Sequence, residues 1–295
     1  MVPGAGAGRI VEAGQQRERR VTVGMDAAKV EKAGREGVIV AFDTSTTTMT
    51  TALLRGGEVL AEFSAQGKRD HSVHLLPAVK ELLHGRGLRP RDVDAIAVGI
   101  GPGSYTGVRV AVSAAKTMAW TLRVPLVGVS SLAALALGAA RRAGAGGGAI
   151  SAGRRWLVPL VDARRSQAFT AVYEDGGAVV GGLTELAADG VRLVRDWADE
   201  LRERAAAADG PVELAFCGET AGFEEMLLEA FGGGEAAGGV RLLMLPHEPA
   251  ARDVGALAAA RLLRGEHDDV HTFVPNYTQL AEAEVKLLAK QKQGD

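Results

Sequence analysis

The sequence predicts an α/β fold built from two related halves. Between residues 38 and 129, apolar runs and stretches of helical periodicity follow the order βββαβαβ. A similar order begins again near residue 156, although the two halves share negligible sequence identity. In each half the first strand ends at an aspartate, Asp43 in one and Asp162 in the other. Strands that alternate with helices in this way are typical of an α/β protein, and their repetition predicts two lobes.

Length, composition and charge describe a globular protein with no strong overall field. The chain has 295 residues, enough for two domains, and 47% of them are hydrophobic. Its 34 Lys and Arg nearly balance 36 Asp and Glu. The net charge therefore gives the chain no general attraction to nucleic acid or to an anionic membrane. The single cysteine, Cys217, excludes an internal disulfide framework, and no apolar run is long enough to span a bilayer. We therefore expect a cytoplasmic protein.

The first lobe is predicted to occupy residues 38–148. Residues 1–37 are rich in Gly, Ala and charge without a sustained apolar period, so we expect a disordered extension there. Apolar runs and helical spacing then predict, in order, strands at 38–42, 51–54 and 59–63, a helix at 70–84, a strand at 95–100, a helix at 106–122 and a strand at 124–129.

The second lobe is predicted to occupy residues 149–295. The glycine-rich residues 142–153 indicate a flexible connection between the lobes. After them the pattern predicts strands at 156–161, 168–173, 178–180, 212–216 and 241–245, and helices near 189–207, 221–231 and 251–263.

The most informative segment is the glycine bend, residues 99–109, which reads Gly-Ile-Gly-Pro-Gly-Ser-Tyr-Thr-Gly-Val-Arg. Glycine adopts backbone angles closed to other residues, and a helix N-terminus behind it offers unpaired N–H groups to an anion. The bend lacks the Lys that follows the last glycine of a Walker loop, and its last glycines are spaced too widely for a dinucleotide loop. A tight strand-to-helix turn, with Thr106 as a candidate cap, is therefore favoured over a phosphate loop.

Several motifs together indicate a family. Duplicated halves with an aspartate at the end of each first strand resemble the superfamily of sugar kinases, heat-shock ATPases and actin. Within it, the motifs that resemble the TsaB (YeaZ) family lie over roughly residues 38–277. They are Phe42-Asp43-Thr44-Ser45-Thr46, His71-Ser72, the glycine bend, Ala114-Ala115-Lys116, Val161-Asp162-Ala163-Arg164 and Pro275-Asn276-Tyr277, where the more usual last motif is Pro-x-Tyr-Leu-Arg.

The resemblance implies a two-lobed actin-like fold and a non-catalytic role. TsaB-like proteins pair with a homologous catalytic subunit, TsaD, which transfers a threonylcarbamoyl group to the adenosine beside the anticodon of tRNA, and an ATPase subunit, TsaE, joins them. The chain would meet tRNA only through this complex and would have no cofactor of its own, with ATP and Mg at the complex interface. A homodimer is the alternative state of the isolated chain.

An active ATPase or small-molecule kinase, with Asp43 and Asp162 around Mg²⁺, is the alternative function. Such enzymes normally carry a glycine two residues after each of these aspartates, so that the backbone can approach a phosphate, and here Ser45 and Arg164 stand there. Both departures disfavour hydrolysis, and no catalytic residue is predicted. His71 and His74 lack an apparent third ligand, so no metal site is predicted. The candidates for phosphate contact are Asp43, Thr44, Ser45, Gly101, Gly103 and Ser104.

The two helices of the first lobe supply the predicted partner surface. The helix after the glycine bend carries a stripe of small residues, which permits close approach of another helix. Packing of this stripe on the chain's own sheet is an equal alternative by sequence alone. The resemblance favours the interface, because TsaB-like proteins meet TsaD through these helices. The predicted interface residues are Leu75, Leu76, Val79, Val108, Ala111, Ala115, Met118 and Ala119.

Overall fold

The computed structural model describes residues 26–67, 71–145, 153–176, 182–232, 235–236 and 240–278. Helices and strands of the first half are α1 (Ala27–Glu36), β1 (Val38–Asp43), β2 (Thr48–Arg55), β3 (Glu58–Gln66), α2 (His71–Gly85), β4 (Ala95–Gly99), α3 (Tyr105–Leu122), β5 (Leu126–Val129) and α4 (Ser131–Ala145). Those of the second half are β6 (Arg154–Arg164), β7 (Gln167–Asp175), β8 (Leu183–Leu193), α5 (Val194–Ala206), β9 (Val212–Gly218), α6 (Glu224–Ala230), β10 (Glu235–Ala236), β11 (Val240–Pro246) and α7 (Ala251–Leu263).

Two mixed sheets, one for each lobe, form from the described strands. Their strand orders are β3-β2-β1-β4-β5 and β10-β11-β9-β6-β7-β8. In the first sheet β1 pairs antiparallel with β2 and parallel with β4, and in the second β6 pairs antiparallel with β7 and parallel with β9. The same pairing around each first strand confirms the predicted duplication and the two-lobed α/β fold.

Each half of the chain gives one helix to the other half's sheet. Helix α4 packs its buried leucines and alanines against the second sheet, around Leu157 and Ala215. Helix α7 packs in return against the first sheet, around Ile39 and Val127. The predicted lobes, residues 38–148 and 149–295, divide the chain by sequence order. In the packed structure, however, α4 of the first half lies on the second sheet and α7 of the second half lies on the first sheet. This exchange joins the lobes through buried apolar surface.

The N-terminal segment contains a helix where a disordered extension was expected. Helix α1 buries Val30 and Ala33 against α7 and the first sheet, and the Asp26 side chain accepts a hydrogen bond from the Ala28 N–H, which caps the helix. The prediction for residues 1–37 is therefore wrong for Ala27–Glu36, while residues 1–25 lie outside the described part of the chain. Helix α1 has too few apolar residues to show a helical period in the sequence. Its packing against α7 and the first sheet stabilises it instead.

Two further segments differ from the sequence prediction, and a third predicted segment lies where the structure gives no description. Helix α4 was not predicted, and it includes residues 142–145 of the expected connection. The helix predicted from residue 189 begins only at Val194, because residues 189–193 continue β8 and pair with β7. The strand predicted at 178–180 lies outside the described residues. Within the described chain, no helix combines the length and hydropathy needed to cross a membrane.

The close contact of α1 with α7 gives a stability test. A Cβ at Gly34 would lie 2.8 Å from the Leu263 backbone N and 2.9 Å from the Leu262 Cβ. We expect Gly34→Leu to lower the free energy of unfolding by about 1–3 kcal/mol, because the added side chain overpacks this contact. Lys32→Leu, which places the same side chain at an exposed position of α1, is the control and should change stability by less than about 0.5 kcal/mol. Equal effects of the two variants in denaturant unfolding would contradict a packed α1.

Candidate partner surface and the closed first turn

The carboxylate of Asp43 is buried and hydrogen-bonded within the protein. Asp43 is fully buried, its Oδ1 accepts a hydrogen bond from the Ser45 N–H at 2.6 Å, and its Oδ2 accepts one from the Ser131 hydroxyl at 2.7 Å. Burial raises the pKa of this carboxyl above its ordinary value, while the hydrogen bonds from Ser131 and Ser45 oppose the rise. Both oxygens that could have ligated Mg²⁺ therefore already have partners within the chain.

The glycine bend lies directly against the turn that follows β1. A Cβ at Gly103 would overlap the Ser45 carbonyl oxygen, and one at Gly107 would overlap the Thr44 carbonyl oxygen. The Ser104 N–H donates to the Ser45 carbonyl at 2.6 Å, and the Thr44 hydroxyl donates to the Gly107 carbonyl at 2.7 Å. These glycines thus permit backbone to approach backbone without an intervening side chain.

Ser104 and Ser131 fix the two ends of the glycine bend. The Ser104 hydroxyl accepts a hydrogen bond from the Gly107 N–H at 3.3 Å and caps α3, so the cap is Ser104 and not the predicted Thr106. The Ser131 hydroxyl accepts from the Gly101 N–H at 3.0 Å, and the Ser131 N–H donates to the Gly101 carbonyl at 2.9 Å. The direction in which α3 leaves the bend is set by these bonds.

The predicted phosphate contacts do not form an open site. Asp43, Thr44, Ser45 and Gly101 are buried, and they bond to one another or to nearby residues of the chain. A phosphate at this turn would have to displace the glycine bend. Among the described residues, no group of three or more His, Cys, Asp or Glu side chains is arranged to hold a metal ion. The residues present therefore do not fit a Mg²⁺–nucleotide at the first turn.

The corresponding turn of the second lobe is open but acidic. Asp162 lines a cavity of about 610 Å³ together with Glu219, Glu248 and His247. Burial raises the pKa of the Glu219 carboxyl, and the nearby carboxylates of Glu248 and Asp162 act in the same direction. The Arg164 N–H donates to the Asp162 carboxylate at 2.8 Å, so the backbone amide where a glycine would admit a phosphate is also occupied. Clustered carboxylates repel phosphate.

The stripe of small residues predicted as the partner surface faces the protein's own sheet. Six of the eight predicted residues are buried in the core between α2, α3 and the first sheet, and they are Leu75, Val79, Val108, Ala111, Ala115 and Ala119. Met118 is partly buried against the same core. The prediction is wrong for these positions because a helix on a sheet needs an apolar face of its own, and this stripe supplies it.

The exposed sides of α2 and α3 present a different set of large residues, which we call the outer face: Val73, Leu76, Tyr105, Arg109 and Trp120. The exposed fraction is 64% for Val73, 52% for Leu76, 54% for Tyr105 and 66% for Trp120. Only Leu76 of this set was predicted. A sequence signal was available for Trp120, because a large aromatic residue shares one side of α3 with the exposed residues Arg109, Ser113 and Thr117.

A groove runs between α2 and α3 on this side of the molecule. It has a volume of about 500 Å³ and includes Leu76, Tyr105, Arg109, Val110 and Ala114 in its lining. The Arg109 guanidinium donates to the Tyr105 hydroxyl at 2.7 Å and lies 5.1 Å from the centroid of its ring. A cation–π contact of this kind is worth about 0.5–1 kcal/mol at an exposed site. The groove therefore has a partly charged rim and an apolar floor.

Comparison with known proteins assigns the family. The family model described as TsaD: tRNA N6-adenosine threonylcarbamoyltransferase matches residues 58–287. A Bacillus subtilis protein named tRNA threonylcarbamoyladenosine biosynthesis protein TsaB is 36% identical over 254 residues, which are 86% of this chain and 99% of the relative. The chain belongs to the TsaB family. The resemblance to the TsaB family is thus confirmed.

Other members of the TsaB family agree with the assignment. The Escherichia coli protein of the same name is 35% identical over 136 residues, which are 46% of this chain and 54% of that protein. A solved structure of YeaZ from Pseudomonas aeruginosa superposes with a TM-score of 0.62 at 28% sequence identity, and the match covers 82% of this chain and 99% of the other. The two-lobed actin-like fold of this TsaB-family chain is therefore shared with a solved relative.

Gly107 tests the contact between the bend and the first turn. Alanine is the better helix former, yet we expect Gly107→Ala to destabilise the protein by about 1–3 kcal/mol, because its Cβ would overlap the Thr44 carbonyl oxygen. Gly144→Ala, in α4 with no atom within 4 Å of the new Cβ, is the matched control and should stabilise by about 0.5 kcal/mol. Denaturant unfolding checks both, and stabilisation by Gly107→Ala would show that the contact is loose.

Asp43 gives a prediction for pH. Its folded-state pKa is raised above the ordinary 3.8, so the folded protein holds the proton more tightly than the unfolded chain. This stabilising contribution is full below the unfolded pKa and is lost as pH rises through the folded pKa. We expect the wild type to lose stability relative to Asp43→Asn as pH is raised from about 4 towards 8. Parallel denaturant titrations measure this difference, and a wild type that instead gains stability relative to Asp43→Asn would mean that the carboxylate is favourably held in its charged form.

Proposed function

We propose that this chain is the non-catalytic subunit of a tRNA threonylcarbamoyladenosine transferase complex, and that it binds a TsaD-like catalytic subunit through the outer face. The observation that carries the proposal is the outer face itself, with Leu76 and Trp120 more than half exposed on neighbouring helices. Family membership supports the pathway, since the relatives are named as threonylcarbamoyladenosine biosynthesis proteins. The homologous catalytic subunit is the natural partner because the chain itself matches a model named for TsaD.

The composition of the outer face supports a protein partner. Trp, Tyr and Arg are the residues most often found at the energetic centre of protein interfaces, and α3 presents one of each in Trp120, Tyr105 and Arg109. Helices α2 and α3 lie side by side, so a homologous pair of helices on the partner would complete a four-helix contact. The groove beside Leu76 gives an apolar side chain of the partner a place to insert.

The closed first turn supports a non-catalytic role. Asp43 is fully buried and each of its carboxylate oxygens accepts a hydrogen bond from the chain, so Mg²⁺ or a nucleotide phosphate would reach it only if this turn opened. We infer that ATP and Mg²⁺ act at the interfaces of the assembled complex with a TsaE-like ATPase. The near-neutral charge of the chain fits contact with tRNA through its partners.

Binding of the catalytic homologue tests the outer face. We expect Leu76→Asp and Trp120→Ala each to weaken the complex by about 2 kcal/mol or more, roughly 30-fold in Kd, because each removes an exposed apolar anchor from the interface. Leu193→Asp is the matched control, since Leu193 is a leucine of similar exposure on the second lobe, at 47% against 52% for Leu76. Calorimetry or biolayer interferometry with the purified TsaD homologue gives the three values.

Three outcomes contradict the proposal. Wild-type affinity in both outer-face variants would remove the proposed surface. ATP turnover by the purified chain alone, lost in Asp43→Asn, would favour the stand-alone ATPase or kinase instead. A homodimer that persists when the TsaD homologue is added, with no heterodimer formed, would make self-association the working state.

A further inference from the structure

The residues after α7 form a strap, residues 268–277, that crosses the first lobe. It begins where the Gly128 N–H donates to the Asp268 carboxylate at 2.7 Å. Phe273 is buried against Gly128, where a Cβ would come within 2.6 Å of the phenyl ring. The Lys116 ammonium of α3 donates to the Phe273 carbonyl at 2.8 Å. The strap is thus fastened to β5 and to α3 along its length.

The far end of the strap reaches the glycine bend and the outer face. The Asn276 N–H donates to the carbonyl of Ile100, inside the bend, at 2.9 Å. The side chain of the following residue, Tyr277, packs on Tyr105 with the ring centroids 5.8 Å apart. Tyr277 remains 50% exposed, so it extends the outer face beyond Tyr105. The end of the strap therefore lies beside the proposed partner surface.

Asp189 of β8 holds this end of the strap from the second lobe. Its Oδ2 accepts hydrogen bonds from the Asn276 side-chain amide and from the Ser130 hydroxyl, both at 2.8 Å, and its Oδ1 accepts one from the Tyr173 hydroxyl at 3.1 Å. Ser130 lies just before α4, Tyr173 is in β7, and Asn276 is in the strap. Three separate segments thus converge on one carboxylate where the two lobes meet.

We propose that Asp189 and Asn276 are positioning residues for partner binding. Their hydrogen bond fixes the strap so that Tyr277 stands on Tyr105 at the edge of the outer face, and it ties that face to the second lobe. The inference rests on the proposed function, since it concerns the same partner surface. Without the bond, Tyr277 would have to be ordered during association, and this ordering weakens binding.

Asn276 is suited to this task by its shape and chemistry. Its backbone N–H holds the glycine bend through Ile100, and its side-chain amide reaches the second lobe at Asp189. Alanine at this position would keep the first bond and lose the second. A hydrogen bond to a half-buried carboxylate is stronger than one between neutral groups, so its loss weakens the attachment of the end of the strap.

Affinity for the purified TsaD homologue tests the inference with a set of variants. We expect Asn276→Ala and Asp189→Ala each to raise Kd about fivefold to 20-fold, through the lost charge-assisted hydrogen bond. Asn276→Asp should bind more weakly still, because it opposes two carboxylates. The exchanged pair Asp189→Asn with Asn276→Asp should return to within about twofold of wild type, since the amide at 189 can donate to the carboxylate at 276 and to Ser130 while its oxygen accepts from Tyr173. Val274→Ala, at a strap residue that is 63% exposed, is the control and should bind as wild type.

Each outcome decides between the proposals. If Leu76→Asp abolishes binding while Asn276→Ala and Asp189→Ala bind as wild type, the strap inference is overturned and the outer face stands. If Leu76→Asp and Trp120→Ala both bind as wild type, both proposals are overturned. Failure of the exchanged pair to recover affinity, at a melting temperature equal to wild type, also overturns the positioning role, and recovery supports it even if the single alanine variants lose stability.

Discussion

The contact between the turn after β1 and the glycine bend constrains the rest of the first lobe. Asp43 has lost water on all sides, and its carboxylate holds Ser45 and Ser131 together. Because a buried carboxylate is costly unless its oxygens are bonded, these partners have to stay in place. The bend in turn sets where α3 begins, and α4 starts at Ser131 on the other side of the same carboxylate. This one carboxylate holds together the turn, the bend and the lobe junction.

This arrangement changes what the fold can do. Of the turns that follow the first strand of each lobe, one is filled by the chain itself and the other faces a cavity with three carboxylates. Exposed large side chains also lie on α2 and α3, away from both turns. The proposed function uses this outer face rather than the cleft, and the strap links the second lobe to it through Asp189 and Asn276. A supporting subunit can use such coupling to present its helices in one fixed geometry.

Local features of the sequence predicted the fold well, and the features that sequence analysis missed depend on tertiary packing. Strands such as Val38–Asp43 follow from apolar runs, and the tight turn into α3 follows from the glycines of the bend. The sequence left open which of the small residues of α3 meet the sheet, because Ala111 and Ala114 are equally small and apolar while only the first is fully buried. The exchange of α4 and α7, and the Asp189–Asn276 bond between residues 87 apart, depend on how the lobes pack and leave no periodic signal.

Hydrogen exchange of the chain, alone and with the TsaD homologue, reports on the closed first turn and on the outer face in one experiment. We expect peptides from α2 and α3 to gain protection in the complex, whereas residues 43–46 and the glycine bend exchange slowly in the free chain and do not change when ATP and Mg²⁺ are added. Protection of residues 43–46 by ATP and Mg²⁺ in the isolated chain, with α2 and α3 unchanged by the homologue, would contradict both the closed turn and the outer face.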